Sequence, residues 1–142
     1  LPVPAASTPR GANGVSRMHI ATPFDPIEVG ETDNFAFDFT ADVGAAKIES
    51  TQWMCALAPY QMANDPAPQS RIISVSAQSA IHVRSPVNGS LLTRDGSFSV
   101  ALIGGMPPSA AGAIYILAAT ANLSDGRVLK LNATLQCKVP GP

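Results

Sequence analysis

Apolar and polar residues alternate at a period of two in run after run of this chain, and no stretch shows the three-and-four spacing of an amphipathic helix. The clearest run is residues 34–40, where Phe35, Phe37 and Phe39 alternate with Ala36, Asp38 and Thr40. It predicts a strand whose three rings share one face, and that face must point into a core, because three exposed phenylalanines would invite aggregation. Residues 48–57 predict a second strand. Thr51, Trp53, Cys55 and Leu57 are in phase there and Ile48 is not, so a bulge is expected near Glu49 and Ser50, and Trp53 is the expected largest core anchor.

Further strands are predicted at residues 26–29 (a short edge strand), 71–77, 80–84, 97–103, 113–123 and 128–139. The run from Ala113 is continuous in Ala, Ile, Tyr and Leu, which predicts a central strand covered on both faces. Asp125-Gly126 between the last two runs predicts a hairpin. Residues 58–70 contain Pro59, Pro66, Pro68 and Asn64-Asp65, too much punctuation for a ladder, and are expected to form a long loop that is functional or contacts another subunit. Eight strands with turns every ten or so residues argue for an all-β fold, an immunoglobulin-like antiparallel β-sandwich. Residues 1–25 carry Pro2, Pro4, Pro9, Pro23, Gly11 and Gly14 with no apolar period. They are expected to form an extended N-terminal arm, leaving residues 26–142 as the sandwich domain.

Composition sharpens this picture. The chain of 142 residues is long enough for one core, and it is 46% hydrophobic but only 13% charged, against about 25% in an ordinary soluble domain. So neutral a surface suits a protein that works docked against other subunits. The net charge is −1 and the nine basic residues are scattered, so no stripe exists to neutralise a run of phosphates, and nucleic-acid binding is not expected. No apolar run is long enough to span a bilayer, and no membrane partner is expected. The chain opens on Leu1, so an N-terminal segment is expected to have been removed or omitted, and a missing signal peptide carries no information.

Candidate chemistry is sparse. Of the ten acids, six lie between Asp25 and Asp42, but their spacing matches no EF-hand loop and reads as the solvated side of a strand and its approach. The two histidines, His19 in the arm and His82 in a strand with Ile81 and Val83, lack partners for a triad or a metal centre. Cys55 and Cys137 have parities that point both into one core, leaving either a single bridge or two buried thiols, the latter favoured because free cysteine is so often buried. Gly104-Gly105 precedes Met106-Pro107-Pro108 and no helix, so it reads as a turn and not a phosphate cradle. The sequons at Asn88, Asn122 and Asn132 fit chance in so Ser-, Thr- and Asn-rich a chain. No catalytic, metal-ligating or cofactor-binding residue is assigned, no cofactor is expected, and the chain is not expected to be an enzyme.

Phe37-Asp38-Phe39-Thr40-Ala41-Asp42, then Ile48-Glu49-Ser50-Thr51-Gln52-Trp53, then Tyr115-Ile116-Leu117 and Ser124-Asp125-Gly126-Arg127 together resemble small Ig-like structural proteins of tailed bacteriophages. The likeness spans about residues 34 to 139, and Cys55, Cys137 and the loop at 58–70 depart from it. It implies a virion accessory assembled in the host cytoplasm, a head decoration, head fibre or tail component whose partners are the major capsid or tail protein and copies of itself. An arm suits such a role, since extended backbone binds by adding to a neighbour's sheet edge or groove. The alternative is a secreted or cell-surface binding module that recognises a glycan or protein through loops such as 58–70, and that reading predicts a Cys55–Cys137 bridge.

Overall fold

The computed structural model describes residues 18–20 and 23–139. Two four-stranded sheets pack face to face, as the alternation requires. The strands are β1 (Met18–His19), β2 (Ile27–Glu28), β3 (Thr32–Asp38), β4 (Ile48–Leu57), β5 (Ile72–Arg84), β6 (Leu91–Gly104), β7 (Ile114–Leu123) and β8 (Val128–Lys138). One helical turn, α1 (Thr40–Val43), follows β3, and short 3₁₀ turns occupy Pro68–Arg71 and Pro108–Ala110. The first sheet runs β1-β3-β6-β5 and the second β2-β8-β7-β4, with β1 parallel to β3, β2 parallel to β8 and every other pair antiparallel.

Phe35, Phe37 and Phe39 are all buried between the sheets. The Phe37 ring lies 4.8 Å from that of Trp53, whose indole N–H donates to Ser99 Oγ at 2.7 Å. The register of β4 shifts between Ile48 and Ser50, where the phase break placed a bulge. A second, smaller apolar cluster lies on the opposite face of the first sheet, with Ala36, Ile81, Phe98 and Val100 at its centre and Met18, Ile20 and Val83 packed around it. It explains why Ala36 is buried although it alternates with the core phenylalanines.

The count of eight strands is met by two departures that cancel. The runs at 71–77 and 80–84 are one strand, β5, interrupted by a bulge between Gln78 and Ala80 that lets the ladder with β6 continue. Against that, Met18–His19 forms a strand that no periodicity announces. β6 also begins at Leu91, six residues before the predicted start, because polar Thr93, Arg94 and Asp95 pair with the far half of β5. The expected strand at 34–40 stops at Asp38, whose carboxylate accepts the Thr40 N–H at 2.9 Å as the chain turns into α1.

The boundary between arm and domain is corrected. Residues 1–17, 21 and 22 of the expected arm lie outside the described residues, but the remainder belongs to the sandwich. β1 pairs with Asn34 and Phe35, Phe24 is buried against Phe35 and Phe37, and its N–H donates to the Thr134 carbonyl at 3.1 Å. Hydrogen bonds and single anchors hold this segment, which is why no apolar repeat marks it.

The strand β7 is central in its sheet, but its side chains alternate between buried and open. Ile114 and Ile116 on its outward side are exposed and the smaller outward residues half-buried, so the expectation of cover on both faces fails. The β7–β8 hairpin closes on Gly126 at φ +90°, with the Gly126 N–H donating to the Leu123 carbonyl. A Cβ there would meet nothing within 4 Å, so a side chain costs only backbone strain. Gly126→Val is expected to destabilise the domain by about 1–2 kcal/mol, while Gly126→Asn recovers most of the loss because Asn tolerates positive φ. Thermal melts of the two variants beside wild type check both expectations.

Candidate functional site

The residues that sequence reasoning weighed for chemistry are kept apart by the fold. His82 is exposed on β5, beside Thr93 at 3.4 Å. His19 is buried, stacked on Phe35 with 4.6 Å between ring centroids, and its Nε2 lies 2.9 Å from Asp33 Oδ2 while Nδ1 lies 3.5 Å from Asp25 Oδ2. Each ring nitrogen thus meets a different carboxylate, an arrangement that ties β1 to the sheet. Of the acids between Asp25 and Asp42, Asp25 and Asp33 meet at His19, while Asp38 pairs with Arg94 at 2.7 Å and Glu28 with Lys138 at 3.8 Å. Among the described residues no group of three His, Cys, Asp or Glu side chains could hold a metal ion.

Gly104 ends β6 and passes so close to Glu31 and Thr32 that a Cβ would strike their backbone, while Gly105 N–H donates to the Glu31 carbonyl. The pair is a tight crossing of chains. Asn88 sits in an exposed hairpin loop, Asn122 donates to Ser50 Oγ, and Asn132 lies exposed on the outer face of the second sheet.

Both cysteines are buried, and both are free. Cys55 pairs across β7 through Leu117 to Ala133, whereas Cys137 lies four residues further along β8. Two strand spacings and four residues of rise put their Cα atoms about 16 Å apart, far beyond the roughly 7 Å limit of a disulfide. A bridge between them is therefore precluded in this fold. Burial pushes the Cys55 thiol up to about 12, and the nearby Asp65 carboxylate acts in the same direction. Cys137 is raised for the same two reasons, so neither thiol is poised as a nucleophile.

The most developed constellation is one that sequence reasoning missed. The loop at 58–70 is held by a buried carboxylate, Asp65, which receives Arg71 Nε at 2.8 Å, Arg71 Nη2 at 2.9 Å, the Tyr115 hydroxyl at 2.6 Å and the Ala67 N–H at 2.9 Å. Burial alone would raise this carboxyl, but the hydrogen bonds from Arg71, Tyr115 and Ala67 outweigh it and hold the pKa down to about 2. The Tyr115 phenol is raised in turn, by burial and by its bond to the carboxylate. One signal was available in the sequence: a tyrosine inside an apolar strand needs a partner for its hydroxyl.

Two glutamines brace the rest of the loop by standing in for backbone. Gln61 donates to the carbonyls of Ala58 and Ile114 and accepts the Ile114 N–H, and Gln69 accepts the Cys55 N–H and donates to the Trp53 carbonyl. With these polar groups committed inward, Tyr60 and Met62 stand fully exposed, Tyr60 at a left-handed φ of +62°. The outer face of the second sheet carries Met54, 68% exposed, with Ile116 and Ile114 at 40% and 43%. Ile114 also borders a cleft of about 380 Å³ with Pro23, Phe24, Asp25, Pro26, Thr134 and Gln136. This region offers apolar contact area on a braced frame. Comparison with models of known protein families and with curated protein sequences finds no match to this chain.

Proposed function

We propose that this chain is a non-enzymatic structural subunit of a tailed-phage virion, a capsid decoration or head-fibre protein that is held through its N-terminal arm and carries the sandwich outward. The observation that carries the reading is the braced apolar surface of Tyr60, Met62, Met54, Ile114 and Ile116, in a chain with only 13% charged residues. Singly scattered exposed apolar residues are ordinary, whereas several clustered around one loop and one sheet face mark an interaction site. Its partners are other virion proteins and copies of itself, with no nucleic acid, membrane or cofactor.

Strand order supports an immunoglobulin-like form of the sandwich. Naming β2 as A′ and β3 to β8 as B to G, the sheets run β1-B-E-D and A′-G-F-C, with β1 parallel to B where an immunoglobulin A strand is antiparallel. Trp53 then falls on strand C and Tyr115 at the start of strand F, the places such domains give a core tryptophan and a corner tyrosine. Leu117, two residues after Tyr115, stands where many of them have the second bridging cysteine, and the Trp53–Phe37 contact fills the centre instead. The competing reading, a disulfide-stapled secreted module, loses its Cys55–Cys137 bridge.

Gradient-purified particles from cells producing the chain, probed with an antibody against it, test the assignment. The chain is expected to band with the major capsid protein in a fixed ratio. Recovery of all of it at the top of the gradient, away from the particles, would overturn the virion role.

A further inference from the structure

Four strands end the two sheets, and three of those edges are blunted. β1 and β2 are two residues long, and β2 carries Glu28 opposite Lys138. The outer side of β4 is capped at mid-strand by the Gln69 amide, which bonds the Cys55 N–H and the Trp53 carbonyl at 3.0 Å each. The fourth edge, β5, is thirteen residues long, and among the described residues no strand pairs with it on the side away from β6. From Ile72 to Val83 it holds no proline, lysine, arginine or carboxylate, and His82 is its one titratable side chain. Ile73 is 54% exposed, and Ser74, Ser76, Ala77, Gln78 and Ser79 are exposed as well. A long uncharged edge of this kind is what natural sheets ordinarily avoid, because its free N–H and C=O groups template another extended chain.

We infer that β5 is a strand-addition edge, and that its occupant is β5 of a second copy, paired antiparallel about a two-fold axis perpendicular to the sheet. The strand's own alternation favours a copy of itself. Between its two bulges β5 is regular from Ser74 to Gln78, with Ser74, Ser76 and Gln78 opposite Leu102, Val100 and Phe98 on one face, and Val75 and Ala77 opposite Ala101 and Ser99 on the other. A two-fold perpendicular to the sheet preserves faces, so any register it allows sets serine or glutamine against serine or glutamine, and valine or alanine against valine or alanine. Cross-strand hydroxyl pairs and small apolar pairs of this type stabilise an antiparallel ladder. Charge does not oppose it: the apposed strands carry none along this segment, and each copy brings a net −1. The two first sheets would then join into one of eight strands. The inference stands on the strand itself and holds whether or not the chain belongs to a virion.

Sedimentation velocity of the full chain over a wide concentration range gives the test. Wild type is expected to show a monomer–dimer equilibrium, and Ser74→Lys/Ser76→Lys is expected to raise the dissociation constant tenfold or more while leaving the melting temperature of the dilute monomer unchanged, because both side chains point to solvent. A second measurement locates the contact. Single cysteines at Ser74, Ser76 and Gln78 are expected to give disulfide-linked dimers on mild oxidation, in the one or two positions nearest the axis, and Asn132→Cys on the outer face of the second sheet is expected to give none. A chain that stays monomeric at every concentration overturns the inference, as does a dimer indifferent to the lysines or one that cross-links through residue 132.

Discussion

Trp53→Ala is expected to lower the unfolding free energy by about 3–5 kcal/mol, the range for emptying a large aromatic from a core. The ring is 4% exposed and packs at 4.8 Å against Phe37, between the two sheets. Alanine leaves a void that neither sheet can close, because β4 is held in register by β7 along its length. The loss has a second part. Ser99 is fully buried and its hydroxyl receives the indole N–H, so the variant strands a polar atom in the core. Trp53→Phe separates the two contributions, since it restores most of the volume and none of the hydrogen bond. Urea melts are expected to rank wild type above Trp53→Phe and Trp53→Phe above Trp53→Ala. A wild-type midpoint for the alanine variant would mean that the ring is not an anchor.

What could be read from the sequence divides along the range of the interactions. Phe35, Phe37 and Phe39 announce their strand because each sits two residues from the next, and the β4 bulge is visible as a slip of phase at Ile48. The bonds that build the candidate surface join distant positions: Asp65 to Tyr115 across 50 residues and Gln61 to Ile114 across 53. Polar residues in a proline-rich segment look the same whether they face water or a buried partner, so 58–70 was legible as a loop and not as a braced one. The short β1 escaped for a related reason. Two residues have no period, and what holds them is His19 set between Asp33 and Asp25. Conversely, the uncovered face of β7 was hidden by its own composition, because alanine and isoleucine suit a buried face and an exposed docking face equally.

Removal of the Asp65 carboxylate is expected to be the costliest change outside the aromatic core. Asp65→Ala leaves the Arg71 guanidinium, whose side chain is 17% exposed, with only the Gly105 carbonyl as acceptor, and the buried Tyr115 hydroxyl without its carboxylate partner. Breaking one side of a buried pair typically costs about 3–5 kcal/mol, and partial access of Arg71 to water places this case near the lower end. The isosteric Asp65→Asn keeps an oxygen for Tyr115 and removes the charge, so it is expected to fall between wild type and Asp65→Ala. Acid gives an independent test with a definite sign. A carboxyl held at about 2 in the folded chain, against 3.8 unfolded, contributes stability that is complete above pH 3.8 and is lost as pH falls toward 2. The depression corresponds to about 2 kcal/mol. Wild type and Asp65→Asn are therefore expected to differ in stability at neutral pH and to converge between pH 3.8 and 2, other carboxylates contributing equally to both. Because Asp65 anchors the segment that carries Tyr60 and Met62, the same titration is expected to loosen their presentation, readable as faster hydrogen exchange across residues 58–70 at pH 3 than at pH 7 after correction for intrinsic rates. Parallel stability curves for the two proteins down to pH 2 would show that the fold does not hold the Asp65 carboxyl below its unfolded value, and the loop's bracing would then have to come from the two glutamines alone.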